Sequence, residues 1–576
     1  MKKLTKSEKD YRAWVILNSP MSENKVFVIG LDGATLDVIR PWAREGKLPN
    51  LAKIMTQGSF GTLRSTIHPL TAPAWTSFMT GKNPGKHGIF DFISLVPSSH
   101  QIRYNNALTR KSPSLWRLLS DAGRKVIVVN VPFTFPPEEV NGILISGLDT
   151  PSTESVFTYP PSIREEIKKS FGDYVIMAQY KQGKGLKGYV SAIFQMIEKR
   201  TAAVKHLLKN YPWDFFMVVF SATDIVQHTF WKYMDQNHPQ YNKDGAVQYG
   251  NVILDVYRKI DSEIGHLMES FDERTTLIIM SDHGAGPLKK VIYLNKWLEQ
   301  HNLLHFCQSN NKVLESTALA RKLLGKCKKN LPKSAKNIIS KVFPEIKSKV
   351  DSYLATSFID WSRTKAFSFG VHGNIIINLR GRQPQGTVQQ GTEYEDLRSE
   401  IITRLSTLAD PETGEAVVEK VHRREELYHG NYVQDAPDII IQWKDYAYTA
   451  QKDFGEGVKS VFQARDKFEF SEIEHNGSHR LDGVLMMSGK PIKVGTEIKG
   501  SEIIDLAPTI LYLMGMEIPV EMDGKILTSA LIKDYTETHP IVYGKTIHED
   551  TVEAVTTYSH EEAEKIERRL KDLGYL

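Results

Sequence analysis

The sequence predicts an α/β fold: a largely parallel central sheet covered by helices on both faces, a three-layer αβα sandwich, with a helical insertion. Three observations carry this reading. Short, continuous apolar runs recur along the chain, as in strands buried on both faces. Long stretches of helical period lie between them, as in repeated strand–helix units. Several of the apolar runs stop abruptly at an acidic residue, at the strand end where α/β sheets bind ligands.

The elements follow in order. Val26 to Leu31 reads as a buried strand ending in Asp32-Gly33. Val126 to Val129, Phe215 to Phe220 and Leu277 to Met280 read the same way, and Ile143 to Ile145 and Ile375 to Ile377 add shorter runs. Amphipathic stretches near 187–210 and 246–270 predict helices. Around 301–365 the strand runs cease and Lys-rich helical sequence takes over, so this segment is expected to be a cap inserted into the fold. Residues 1–24 read as an N-terminal extension. Residues 25–300 and 366–540 read as two parts of one α/β core. Residues 541–576 form a tail whose end, 559–576, is a charged helical pattern carrying Leu570, Leu573 and Leu576. There are no internal repeats.

Composition narrows the class. In 576 residues, 41% hydrophobic and 10% aromatic content is enough to bury large cores, which excludes a disordered chain. The net charge of +5 is too small to predict a chain-wide nucleic-acid binder. It is also local. Residues 312–349 hold 11 Lys or Arg against 2 Asp or Glu, a net of +9 that leaves −4 for the rest. Two cysteines, Cys307 and Cys327, cannot make a disulfide framework or a thiolate zinc site. No apolar run approaches the ~18 residues of a membrane helix. The apolar stretch Ala13–Leu17 is short of the ~7–15 residues of a signal-peptide core. A cytoplasmic protein is the expectation.

The chemistry lies at the strand ends. Val26–Leu31 leads into Asp32. Phe215–Phe220 leads into Asp224, with His228 four residues on, so that the two share one helix face. Leu277–Met280 leads into Ser281-Asp282-His283-Gly284. Mixed Asp and His ligands without thiolate suit Zn²⁺, and Mn²⁺ also fits. A nucleophile candidate is Thr71, with Pro73 two residues on and Gly81 closing the predicted helix. A hydroxyl there gains from the helix dipole and the unbonded first-turn amides. The simpler reading is that Thr71 only caps the helix.

Asp32-Gly33, Thr71-x-Pro73, Thr80-Gly81 with Pro84 and His87-Gly88-Ile89, Asp224-x-x-x-His228, Ser281-Asp282-His283-Gly284 and Gly477-Ser478-His479-Arg480 together resemble the alkaline phosphatase superfamily. The branch is the type I phosphodiesterase and nucleotide pyrophosphatase-like proteins. The C-terminal pattern Asp505-Leu506-Ala507-Pro508 and Met522-Asp523-Gly524 is similar to predicted phosphohydrolases and phosphomutases of that branch. The resemblance spans roughly 25–540.

It implies two divalent metal ions about 4 Å apart that bridge the nucleophile and the phosphoryl oxygens. One takes Asp224, His228 and His479. The other takes Asp32, Thr71, Asp282 and His283. It implies attack by Thr71 on a small anionic phosphate mono- or diester, a covalent phosphothreonine, and release by water. An acceptor hydroxyl in place of water makes the same site a transferase or phosphomutase, and a binding protein without chemistry is the rival class.

The chain also departs from the family pattern. Ala74 stands where many nucleotide pyrophosphatases have Asn, so oxygen contacts fall to the metals or to the amide of Ala72. Trp75 stands where sulfatases have Arg. Lys82 and Arg480 are the candidate cations for the extra charge of a monoester. His475 competes with His479, and His372, His422 and His429 read as solvated loop positions. His87 is expected behind the nucleophile helix, in a packing or hydrogen-bonding role. Ser65, Thr66, Thr76 and Ser77 are rival hydroxyls. The basic stretch 312–349 is either a solvated helical face or a surface that steers anions or docks on an anionic surface. No specific nucleic acid is predicted, and the oligomeric state and physiological substrate are left open.

Overall fold

The computed structural model of the protein describes residues 24–181, 183–307, 359–370, 372–451, 460–463, 473–544 and 558–575. Nine strands form the main sheet: β1 (Lys25–Leu31), β2 (Ser59–Arg64), β3 (Val126–Val131), β4 (Gly142–Ser146), β5 (Thr158–Tyr159), β6 (Phe215–Phe220), β7 (Thr275–Met280), β8 (Asp482–Ser488) and β9 (Thr496–Glu502). Their order across the sheet is β9-β2-β8-β7-β1-β6-β3-β4-β5. The centre is parallel, and β8 and the edge strand β5 run antiparallel to their neighbours.

The apolar runs are continuous because both faces are covered. Every residue of β6 and β7 is buried, as is all of β1 after its first residue. Helices Pro49–Gln57, Gly185–Asn210, Ala222–Met234 and Val252–Met268 pack together as one layer. Helices Thr71–Thr80, Leu115–Asp121 and Leu506–Leu513 pack as the other. The helices expected near 187–210 and 246–270 are therefore present.

Register explains why the strand-end acids meet. β1 lies between β6 and β7, with Leu31 opposite Phe220 and Gly30 opposite Met280. Three adjacent parallel strands thus stop at one level. The ladder runs one residue further, with the Asp32 amide donating to the Phe220 carbonyl at 3.1 Å.

The run Ile375–Ile377 is a strand, but not of the main sheet. Asn374–Ile377 joins Ala366–Phe369, Val418–Arg423 and Ile439–Trp443 in a separate antiparallel sheet with its own core around Ile377, Ile401 and Trp443. This unit leaves and rejoins the main body between two strands that pair antiparallel, Gly284–Pro287 and Gly477–Arg480. That pairing carries His479 to the sheet edge that holds His283. The basic stretch 312–349 and residues 1–23 lie outside the described residues. Beside the stretch, Phe306 and Ile359 pair across its two ends. No helix among the described residues is long and apolar enough to cross a membrane.

Candidate metal centre

Each side chain of the centre is fixed by the element that delivers it. Asp32 follows β1 in a turn closed by Gly33, which has φ +67. A Cβ at Gly33 would lie 2.9 Å from Asp224 Oδ1 and 3.2 Å from its Cα, so only glycine lets these two strand ends approach. Asp224 and His228 lie one turn apart on helix α2 (Ala222–Met234), with His228 Nε2 at 3.1 Å from Asp224 Oδ1. Asp282 and His283 follow β7 directly. The Asp282 carboxylate accepts from the Gly33 amide at 3.2 Å. His479 stacks on His283 with ring centroids 3.6 Å apart. Gly477 lets the strand of His479 lie against α2, since a Cβ there would sit 2.3 Å from the Gln227 carbonyl.

Thr71 is the first residue of helix α1 (Thr71–Thr80), not its cap. The cap position is Leu70, and the Thr71 hydroxyl makes no capping bond. It lies 3.5 Å from His283 Nε2 and donates to the Tyr575 hydroxyl at 3.3 Å. The capping role weighed for Thr71 is thereby removed. Three of the four rival hydroxyls are spent elsewhere: Thr66 on the His68 carbonyl, Thr76 on the Ala72 carbonyl, Ser77 on His87. The fourth, Ser65 Oγ, is buried without a hydrogen-bond partner among the described residues. His87 is fully buried behind α1, 2.9 Å from Ser77 Oγ, as expected of it.

The donor set fits divalent cations. Nδ1 of His228, His283 and His479 each faces a backbone carbonyl, of Gly477, Gly284 and Pro69, at 3.1, 3.0 and 2.6 Å. Carbonyls only accept, so Nδ1 carries the proton and each Nε2 presents a lone pair inward. Two such nitrogens, His228 Nε2 and His479 Nε2, stand 2.9 Å apart. Facing them, Asp32 Oδ1, Asp224 Oδ1 and Asp282 Oδ2 are buried without a hydrogen-bond partner among the described residues. Lone pairs and carboxylate oxygens gathered this way repel one another unless a cation lies among them. Ligand atoms of Asp224, His228 and His479 lie within 4.8 Å of one another, as do those of Asp32, Asp224 and His283.

Electrostatics agree. Burial and the neighbouring Asp282 and Asp224 carboxylates push Asp32 well above the usual carboxylate range. Burial and Asp224 push Asp282 up to about 8. Burial also lowers His283 and His479, which keeps both imidazoles neutral as ligands must be. Trp75 Nε1 donates to Asp32 Oδ2 at 3.3 Å, so the residue standing where sulfatases have Arg orients a carboxylate instead.

Seven sequence-predicted positions therefore converge: Asp32, Thr71, Asp224, His228, Asp282, His283 and His479. Ala72 lies beside them in the first turn of α1, where amides have no helical carbonyl to bond. The two anticipated cations do not join. Lys82 follows Gly81, the cap at the far end of α1 from Thr71, because a ten-residue helix intervenes. Arg480 follows His479 on a strand and so points to the opposite side. Its guanidinium donates to the carbonyls of Tyr446, His479 and Pro287. His475 turns to the Asp572 carbonyl, 3.0 Å from its Nε2.

Two of the supposed solvated histidines are buried. His422 sits in the smaller sheet against Gln442. His372 lies beside the centre, its ring 5.8 Å from His479 and 5.5 Å from His68. Only His429 is exposed, where it meets Asp523. Sequence reasoning missed His68, His372 and Tyr575 at this site. His68, three residues before Thr71, was the one with a usable signal.

In structure, the chain is similar to phosphonoacetate hydrolase from Sinorhizobium meliloti 1021 in complex with phosphonoacetate, with a TM-score of 0.50 at 15% identity over 86% of this chain and 96% of that one. Human ectonucleotide pyrophosphatase/phosphodiesterase 5 gives a TM-score of 0.46 at 14% identity over 85% and 95%. The first of these likenesses concerns the fold. No curated protein sequence matches the chain. The profile of the family described as type I phosphodiesterase / nucleotide pyrophosphatase matches residues 26–479, a span that holds all seven converging positions, and the chain belongs to that family of the alkaline phosphatase superfamily.

Proposed function

We propose that this family member cleaves a small phosphate ester through a covalent phosphothreonine on Thr71. The observation that carries the reading is the Thr71 hydroxyl. It is free of any capping role, stands at a helix N-terminus, and faces His283 within a cluster of buried Asp and His side chains. Asp224, His228 and His479 would hold one divalent ion, and Asp32, Asp282, His283 and Thr71 the other. Zn²⁺ suits these ligands best and Mn²⁺ is the alternative. When bound, the ions supply positive charge that acidifies the Thr71 hydroxyl and neutralises phosphoryl oxygens.

The chain's own residues do the rest. Carbonyl contacts fix the His228, His283 and His479 rings in one tautomer, so no reorientation is needed during the reaction. Trp75 and the Gly33 amide hold Asp32 and Asp282. The Ala72 amide faces the site from the α1 N-terminus, where the helix dipole favours a phosphoryl oxygen. Thr71 Oγ gives up its proton to solvent and attacks phosphorus, and the ester P–O bond breaks to the leaving alkoxide, which takes a proton from water. Water then breaks the Thr71 O–P bond, releasing the phosphate product and restoring the hydroxyl.

Because Arg480 and Lys82 are directed elsewhere, nothing anticipated from sequence balances the second charge of a monoester. That favours diesters. The cationic stretch 312–349 is assigned to steering such anions. The test is Thr71→Ala on zinc-loaded protein with bis(4-nitrophenyl) phosphate and 4-nitrophenyl phosphate. Turnover is expected to vanish while zinc, measured by elemental analysis, is still held by the remaining Asp and His ligands, and wild type should prefer the diester. Undiminished turnover in the variant refutes the assignment.

A further inference from the structure

The last described residues of the chain enter the centre. Helix α3 (His560–Asp572) starts at a capping box made by Ser559 and Glu562 and lies against the main core through Ile566, Leu570 and Leu573, all buried. Two polar anchors fix it. Arg569 donates to the carbonyls of Leu148, Thr150 and Pro151, and the Tyr558 hydroxyl donates to the Asp149 carbonyl. His475 adds a contact to the Asp572 carbonyl. Past the helix end, Tyr575 turns inward and is only 3% exposed. Its ring stacks on Phe92 at 4.7 Å and meets the edges of His228 and His479 at 5.8 and 5.6 Å. Its hydroxyl donates to Asp224 Oδ2 at 2.8 Å and accepts from Thr71 Oγ1 at 3.3 Å.

That hydroxyl stands where a reacting group must stand. Attack by Thr71 needs phosphorus within about 3–3.5 Å of Oγ, on the side that faces the metal ligands. The Tyr575 oxygen already fills that distance and bonds the nucleophile and a carboxylate ligand together. Thr71, Asp282 and His283 have no exposed surface while the tail is docked.

We propose that the C-terminal segment 558–575 is an intramolecular plug: Tyr575 holds the nucleophile and its site closed, and substrate gains Thr71 only when the tail withdraws. This rests on the reading of Thr71 as the nucleophile. The docked form hydrogen-bonds the reactive hydroxyl and buries the centre. The open form costs the contacts of α3, which lie outside the centre and so are available to regulation by anything that competes for the tail.

Two full-length variants test it. Tyr575→Ala removes the plug and keeps the anchors. Arg569→Ala weakens an anchor remote from the chemistry and keeps Tyr575. Two readouts are taken: kcat/KM for bis(4-nitrophenyl) phosphate on zinc-loaded protein, and the rate of diethyl pyrocarbonate modification of His228 and His479, by mass spectrometry, on chelator-treated protein. Both variants are expected to raise both rates about tenfold, equivalent to about 1.4 kcal/mol of lost closure. Histidine reactivity unchanged in both variants overturns the plug. So does raised reactivity with kcat/KM lowered by Tyr575→Ala, which makes Tyr575 a catalytic residue. Raised reactivity with no hydrolysis by wild type or variants upholds the plug and refutes the esterase reading instead.

Discussion

Replacing Asp282 by Asn should stabilise the metal-free protein and abolish its response to zinc. Asp282 has no exposed side-chain surface, and burial with the Asp224 charge pushes its carboxyl up to about 8. The native state thus binds a proton that the unfolded chain, with a carboxyl near the ordinary 3.8, releases. Stability must then fall as pH rises from about 4 through about 8, with a loss on the order of a few kcal/mol by pH 7. Asn carries no such cost. Its oxygen keeps the bond from the Gly33 amide, and its NH₂ replaces Oδ2, which faces the His283 Nε2 lone pair at 3.3 Å. Urea unfolding at pH 7 with a chelator should show the variant more stable by several kcal/mol. At pH 4 the two proteins should coincide. Saturating zinc should stabilise wild type strongly and the variant little. A variant no more stable than wild type at pH 7 without metal, or one stabilised equally by zinc, refutes the argument that these carboxylates are kept for a cation.

Two further outcomes follow from the surroundings of the centre. Gly33→Ala places a Cβ 2.9 Å from Asp224 Oδ1 at a φ of +67, and should weaken zinc binding by about 10- to 100-fold in calorimetry through the displaced ligand. Asp523→Asn acts on the loop after α1. Burial alone would raise the Asp523 carboxyl, but Lys86, Asn83 and His429 hold it at about 2. That stability is present above the ordinary carboxyl value and is lost as pH falls toward 2. The variant should be destabilised by about 1–2 kcal/mol at pH 5, allowing for solvent screening, and its unfolding midpoint should change less than wild type's between pH 4 and 2.

The strand-end acids were legible because they depend on local order. An apolar run must end where the sheet ends, and the residue after it faces the site. Asp32, Asp224 and Asp282 needed only the further fact that β6, β1 and β7 are adjacent in register. His479 was legible through its family motif alone. Its approach depends on a strand pairing across an insertion of nearly two hundred residues, which no local pattern encodes. Arg480 was misjudged because proximity in sequence on a strand means opposite faces. His372 and His422 were misjudged because a polar residue between turns looks solvated until the smaller sheet closes over it. Tyr575 carried no signal. The tail showed a helix with an apolar stripe, but nothing in it said where the residues after the helix would go.

If Thr71 is the nucleophile, it must carry the phosphoryl group during turnover. Zinc-loaded wild type mixed with bis(4-nitrophenyl) phosphate and quenched in acid within the first turnovers, then digested and sequenced by mass spectrometry, tests it directly. A phosphoryl adduct is expected on Thr71, absent from Thr71→Ala and gone when the substrate is exhausted. Full-rate hydrolysis with Thr71 unmodified at every quench time, or the adduct on another residue, contradicts it.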